Sequence, residues 1–225
     1  MKRGLSRAAL VILVGVVSLD TRPARSADAV KDAQPSAVTA GARPLDVVKS
    51  SVAQVLATVQ SRPATDRESR QRRAEIRRVA NELFDFDEMA RLTLSRHWSG
   101  QSSPERAEFV RLFTELLERS YLSTIENYAG ERITFLGESL SGSYAQVRSR
   151  ITTDRRVEIS IDYRLLKRGD GWEVYDVVLD GVSLVSNYRS QFNSIIRTSS
   201  FGELLTRLRN KQIDAHVIPR VGRRS

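Results

Sequence analysis

Apolar residues recur along this chain first at helical and then at strand spacing, and the change falls near Gly130. Leu45, Val48, Val52, Val55, Leu56 and Val59 repeat at three and four, which predicts an amphipathic helix from Pro44 that stops before Pro63. A second helix is predicted over DRESRQRRAEIRRVANELF, with Ile76, Val79, Ala80 and Leu83 on one side and arginines around the rest. FDFDEMARLTLSRHW carries Phe86, Met89 and Leu92 or Thr93 at helical spacing. Ser102-Ser103-Pro104-Glu105 then reads as a capping box with proline in the first turn. It opens a helix whose broad face holds Phe109, Leu112, Phe113, Leu116, Leu117 and Tyr121 and which ends before Gly130.

Beyond Gly130 the period becomes two. Ile133 and Phe135, then Ala145, Val147 and Ile151, then Val157, Ile159, Ile161, Tyr163 and Leu165 alternate with polar residues, as antiparallel strands do. Turns are expected at Gly142-Ser143, at Thr153-Asp154 and at Gly169-Asp170-Gly171. Trp172 to Leu179 is apolar on both parities, so both its faces should be covered. After Asp180-Gly181 the helical period returns with Leu184, Val185, Tyr188, Phe192, Ile195 and Ile196, and a short last helix carries Leu204, Leu205 and Leu208. Helices, a meander of four strands and helices again make an α+β plan: a curved antiparallel sheet wrapped on one face, which encloses a pocket.

The two ends do not fit that plan. Lys2, Arg3 and Arg7 precede the uncharged run Ala8 to Leu19, and the chain turns polar at Asp20 and Arg22, as in a secretory signal peptide. Small residues at Ala24-Arg25-Ser26 and at Ala27-Asp28-Ala29 suit a signal peptidase, and the mature start is placed between Ala27 and Val30. An uncleaved membrane anchor is the competing reading. Residues 1–29 are therefore read as the signal, 30–43 as a flexible leader of small polar residues, 44–212 as one domain and 213–225 as a basic tail. The expected compartment is the periplasm, reached by cleavage of the signal.

The chain of 225 residues carries a net charge of +9, and loss of residues 1–29 removes five basic and two acidic residues to leave +6. Such a balance ordinarily points to nucleic acid, which an exported protein rarely meets; an anionic membrane surface or an acidic protein fits better. The absence of cysteine excludes disulfides, thiol catalysis and thiolate metal sites.

Signals for catalysis are sparse. His97, beside Trp98 at a helix end, and His216, in the tail, are the two histidines, and no metal or phosphate-binding motif accompanies them. No metal, cofactor or catalytic residue is expected. Asp85, Asp87 and Glu88 fall where a helix begins, and capping explains them. Asp180-Gly181 reads as a turn. Asp176 differs: it is a charge in an apolar strand and requires a partner such as an arginine. Arg62, Arg67, Arg70, Arg72, Arg73, Arg77 and Arg78 face few carboxylates, and both docking to an anionic surface and a solvated helix face remain open for them.

The run W-x-V-Y-D-V-x-x-x-G-V-S-L-V-x-N-Y-R-x-Q-F from Trp172, followed by Ile195-Ile196-Arg197 and FGELLTRLRN, resembles the MlaC family of periplasmic phospholipid carriers, also called toluene-tolerance or ABC-transporter auxiliary proteins. FDFDEMARLTLSRHW and SSPERAEFVRLFTELLERSY look like the same family's signature, and the likeness covers about residues 45–212. It implies an NTF2-like cone that buries phospholipid tails between sheet and helices. It implies shuttling between an outer-membrane MlaA-porin complex and an inner-membrane MlaFEDB-type MCE ABC transporter, with a part in outer-membrane lipid asymmetry.

On that reading, periodicity selects Met89, Leu92, Phe109, Phe113, Leu116, Tyr121, Val147, Ile159, Ile161, Tyr163, Val177, Tyr188 and Phe192 as lipid-binding candidates. Charge and position select Arg156 and Arg189 for the headgroup. The alternatives are a carrier of a hopanoid-type lipid and an NTF2-like enzyme with Asp176 as its base.

Overall fold

The computed structural model describes residues 41–61, 63–128, 130–153 and 156–213. Residues 1–29 read as a signal peptide, residues 30–40 of the expected leader, Arg62, Asp154 and the chain from residue 214 with His216 lie outside the described residues.

Four helices come first: α1 (Pro44–Gln60), α2 (Asp66–Leu83), α3 (Phe86–Leu94), extended by a 3-10 turn at Ser95–His97, and α4 (Ser103–Glu126). Strands β1 (Arg132–Ser141), β2 (Tyr144–Thr152), β3 (Glu158–Arg168), β4 (Gly171–Leu179) and β5 (Val182–Ser183) follow, and α5 (Leu184–Thr198) and α6 (Phe201–Arg209) complete the domain. Each helix start has a local cause. Thr65 accepts from the Glu68 N–H before α2 and Asp85 from the Glu88 N–H before α3, while Ser183 and Ser200 cap α5 and α6 in the same way. At α4, Glu105 accepts from both the backbone N–H and the hydroxyl of Ser102, so the capping box is present.

The strands form one antiparallel sheet in sequence order β1 to β5. The plan of an α+β fold with a curved sheet holds, with one addition. Asp180 and Gly181 both adopt positive φ (44° and 82°), and this tight turn folds Val182–Ser183 back on β4 as a fifth strand. Two residues carry too little pattern to be read as a strand.

Val147, Ile151, Ile159, Ile161, Tyr163, Leu165, Val174 and Val177 are buried. α1 packs against β1, β2 and α2, whereas α3 and α5 pack against each other and against β4, with α6 under α4 and α5. In β4 the period of two breaks at Tyr175, because Arg164 pairs with Asp176 while the next residue, Leu165, pairs with Val174. Beyond this bulge Asp176, Val177, Val178 and Leu179 are all buried. The covered faces expected of this segment are therefore confined to its second half.

Candidate functional site

The bulge explains the buried charge. Asp176 is 2 % exposed, and one carboxylate oxygen accepts from the Val185 N–H at 3.0 Å in the first turn of α5. The other accepts from the Ser183 hydroxyl at 2.6 Å and from Arg164 at 3.1 Å. An anion at a helix start meets unpaired N–H groups and the positive end of the helix dipole, so Asp176 fastens α5 to the sheet. Asp85 plays the matching part at α3, where it caps the helix and binds Arg168 at 2.7 Å. His97 contacts Asn193 through Nε2 at 3.0 Å and ties the end of α3 to α5.

A cavity of about 80 Å³ lies between α2, α3 and α4, closed below by Val177 of β4 and Leu184 of α5. Ile76 and Ala80 come from one side of α2, and Leu117, Tyr121, Leu122 and Ile125 from α4. Phe84 and Phe86, stacked with ring centroids 5.7 Å apart, and Met89 supply the wall at the α2–α3 junction. The surface is almost wholly apolar. Arg77, Asn81 and Glu118 are its charged or amide rim, and Arg77 Nε donates to Glu118 at 3.0 Å across the seam from α2 to α4. Farther along that seam Glu126 accepts from Arg73 at 2.8 Å and from Arg72 at 3.4 Å. Of the basic face of α2, Arg72, Arg73, Arg77 and Arg78 thus have carboxylate partners, with Arg78 bound to Glu75 and Glu82.

The phenol of Tyr121 reaches into this wall with 6 % of the residue exposed, and that of Tyr188 lies nearby in the core. Both hydroxyl oxygens are buried, and the two phenols interact with each other. Burial raises the Tyr121 phenol far above the usual tyrosine range, helped by Tyr188; burial likewise pushes Tyr188 up to about 12, partly offset by Tyr121, Ser120 and Arg119.

Of the thirteen lipid-binding candidates, the structure brings Met89, Tyr121 and Val177 together around the cavity. Phe109, Phe113, Tyr188 and Phe192 form instead a compact aromatic cluster with Leu116 buried alongside. Val147, Ile159, Ile161 and Tyr163 are buried in the sheet and Leu92 is half-buried against the core; none of these lines the cavity. The two headgroup candidates also lie elsewhere. Arg156 is exposed beyond the end of β2, where its N–H closes a turn onto the Thr153 carbonyl, and Arg189 donates to the Leu92 carbonyl at 2.9 Å, linking α5 to α3. The arginine at the cavity is Arg77. The sequence held one signal for it: Ile76 with Ala80, and Arg77 with Asn81, are spaced by four and so share neighbouring stripes of α2.

Comparison with known proteins agrees with this architecture. A family model described as MlaC protein matches residues 49–210. The intermembrane phospholipid transport system binding protein MlaC of Haemophilus influenzae is 25 % identical over 120 residues, 51 % of this chain and 56 % of that protein. Toluene tolerance protein ttg2D of Pseudomonas putida is 23 % identical over 119 residues, 52 % of this chain and 55 % of that protein. The match thus spans about half the length of these curated relatives. A phospholipid-binding protein from Ralstonia solanacearum, solved in complex with a phospholipid, superposes with a TM-score of 0.67 at 24 % identity over 76 % of this chain and 97 % of its own.

Proposed function

Since the chain belongs to the MlaC protein family, we propose that it is a periplasmic phospholipid carrier that holds acyl chains in the apolar cavity between α2, α3 and α4. The cavity's apolar wall and charged rim are the observation that carries this reading. Two ordinary acyl chains contain about 28 methylenes, so exposing them to water would cost roughly 20 kcal/mol at about 0.8 each. Transfer from a bilayer to an apolar cavity avoids most of that cost, and carriage itself requires no nucleotide.

At about 80 Å³ the cavity is smaller than the roughly 150 Å³ that admits benzene in an engineered core. Loading therefore requires α2 to move away from α4. The bonds that would break are the half-exposed pair of Arg77 with Glu118 and the bonds of Arg72 and Arg73 to the largely buried Glu126. The Arg77–Glu118 pair, open to solvent, contributes about 0–1 kcal/mol, so that end of the seam is the weaker one. Asp176 does not line the cavity and its oxygens are engaged by α5 and Arg164, so its position suits a structural anchor better than a catalytic base.

In the full scheme, residues 1–29 direct export and are cleaved, 30–43 form a leader, 44–212 carry the lipid and 213–225 form a basic tail. The carrier exchanges cargo with an MlaA-porin complex at the outer membrane and an MlaFEDB-type MCE transporter at the inner membrane, a scheme that rests on family membership. Mass spectrometry of lipid extracted from protein purified from the periplasm should find phospholipid, and the protein should take lipid up from vesicles. Absence of both would refute the carrier; a co-extracted hopanoid would reassign its cargo.

A further inference from the structure

At the end of the sheet where β1 turns into β2 and β3 into β4, carboxylates and arginines lie at different depths. Asp176 is buried while its partner Arg164 is half-exposed, and buried Asp85 lies beneath a half-exposed Arg168. Glu88, mostly covered, binds a half-exposed Arg91. Each pair cancels overall, yet the guanidinium is the part that meets solvent. Lys167 is exposed beside them, where its N–H donates to the Ser143 carbonyl at 2.8 Å. Half-buried Glu173 and exposed Asp170 offset part of this positive layer.

The same end carries apolar side chains open to solvent. The β1–β2 turn leaves Leu140 59 % and Tyr144 54 % exposed on either side of its small tip, Ser141-Gly142-Ser143. Tyr144 stands beside Leu166 in register and meets Tyr175 edge-on, with ring centroids 6.0 Å apart. Arg91 lies within electrostatic range of Tyr144, as Arg164 does of Tyr175. Phenol rings with a wet hydroxyl end, and cations on long apolar stems, settle at a lipid headgroup layer, where phosphates meet the charge and the region beneath takes the apolar parts. Arg168 also holds Asp85, which sits between the cavity-wall residues Phe84 and Phe86, so this surface adjoins the α2–α3 junction. A carrier needs contact with a bilayer, and resting on that reading we propose that the β1–β2 turn and the arginine layer of β3 and α3 form a docking surface for an anionic bilayer, with Leu140 and Tyr144 entering the headgroups. Docking there brings one wall of the cavity to the membrane that supplies or receives the lipid.

The test is co-sedimentation of the full mature chain with vesicles of phosphatidylglycerol or of phosphatidylcholine, with lipid extraction measured separately. The wild-type protein should bind phosphatidylglycerol vesicles about 5-fold or more tightly than phosphatidylcholine ones, and added salt should shrink the difference. Leu140→Ser combined with Tyr144→Ser should weaken that binding about 10-fold through lost apolar contact. Lys167→Gln should weaken it about 5-fold, the share of one basic residue near an anionic surface. Leu136→Ser, at a 48 % exposed residue in the middle of β1, should leave it unaltered, and thermal unfolding should show every variant folded. Equal binding to both vesicles, a turn variant that binds like the wild type, or an equal loss in Leu136→Ser would overturn the docking surface; persisting lipid extraction would then leave the carrier standing. Vesicle binding as expected, without extraction by the wild type, would uphold the surface and overturn the carrier reading.

Discussion

One helix, α4, borders two regions of opposite character. Its first half inserts Phe109 and Phe113 among rings from α5, with Phe113 edge-on to Tyr188 at 5.4 Å and to Phe192 at 5.9 Å, and Phe109 edge-on to Phe192 at 5.6 Å. Phe201 of α6 closes the same group at 6.1 Å from Phe109. Its second half looks across the cavity at α2, a helix with only Ile76, Val79 and Leu83 buried. There the gap is spanned by long arginine side chains reaching Glu118 and Glu126. The difference lies in the facing helix rather than in α4. Rings from three helices fill volume, whereas a narrow aliphatic stripe flanked by arginines leaves space and closes it at the rim with charge.

The largest test of this contrast is Phe113→Ala, which empties the packed side. A loss of about 3–5 kcal/mol in chemical denaturation is expected there. A loss below about 1 kcal/mol would mean that the aromatic side is no tighter than the cavity side. Asp176→Asn weakens the anchor of α5 beneath the aromatic cluster and should lower stability by about 1.5–3 kcal/mol, the worth of hydrogen bonds to a charged group. Lipid transfer by the folded Asp176→Asn protein should persist; its abolition would favour a catalytic carboxylate.

On the cavity side the stability effects should be smaller and the lipid effects greater. Ala80→Phe fills open space, so stability should rise by about 0.5–2 kcal/mol while uptake from vesicles falls. Unimpaired uptake would move the lipid site away from α2. Arg77→Gln should change stability least, by at most about 1 kcal/mol. It should speed lipid release, and added salt should speed release from the wild type in the same sense.

Most element boundaries were legible in the sequence because local chemistry writes them. Thr65, Asp85, Ser102 and Ser183 cap helices, and the change of period at Gly130 separates helix from sheet. The cavity was much less so. Phe113 and Tyr121 belong to one apolar stripe of α4, and periodicity shows that both face inward. Whether the facing helix fills the space depends on elements distant in sequence, and no local pattern records it. Arg77 was hidden for a related reason, since an arginine among arginines looks solvated until its partner, Glu118, is brought across from another helix. Asp176 stood out as a charge needing an arginine, but its role at α5 depends on the Tyr175 bulge, which a strict period of two does not reveal.

The junction between α2 and α3 bears on how the cavity widens. Phe84 forms a parallel bridge with Val174, and the Asp85 N–H donates to the Val174 carbonyl at 3.0 Å, so the C-terminal end of α2 is stitched to the sheet. Its other end meets α1 through a short link containing Pro63. A rotation of α2 would therefore pivot at Phe84 and carry the packed α1 with it. Eighteen residues rising 1.5 Å each give an arm of about 27 Å, so a swing of roughly 10° carries the Thr65 end about 5 Å and the Ile76 region about 2 Å. Such a rotation at one stitched point would part the charged rim beginning at its far end, where Arg72 and Arg73 meet Glu126.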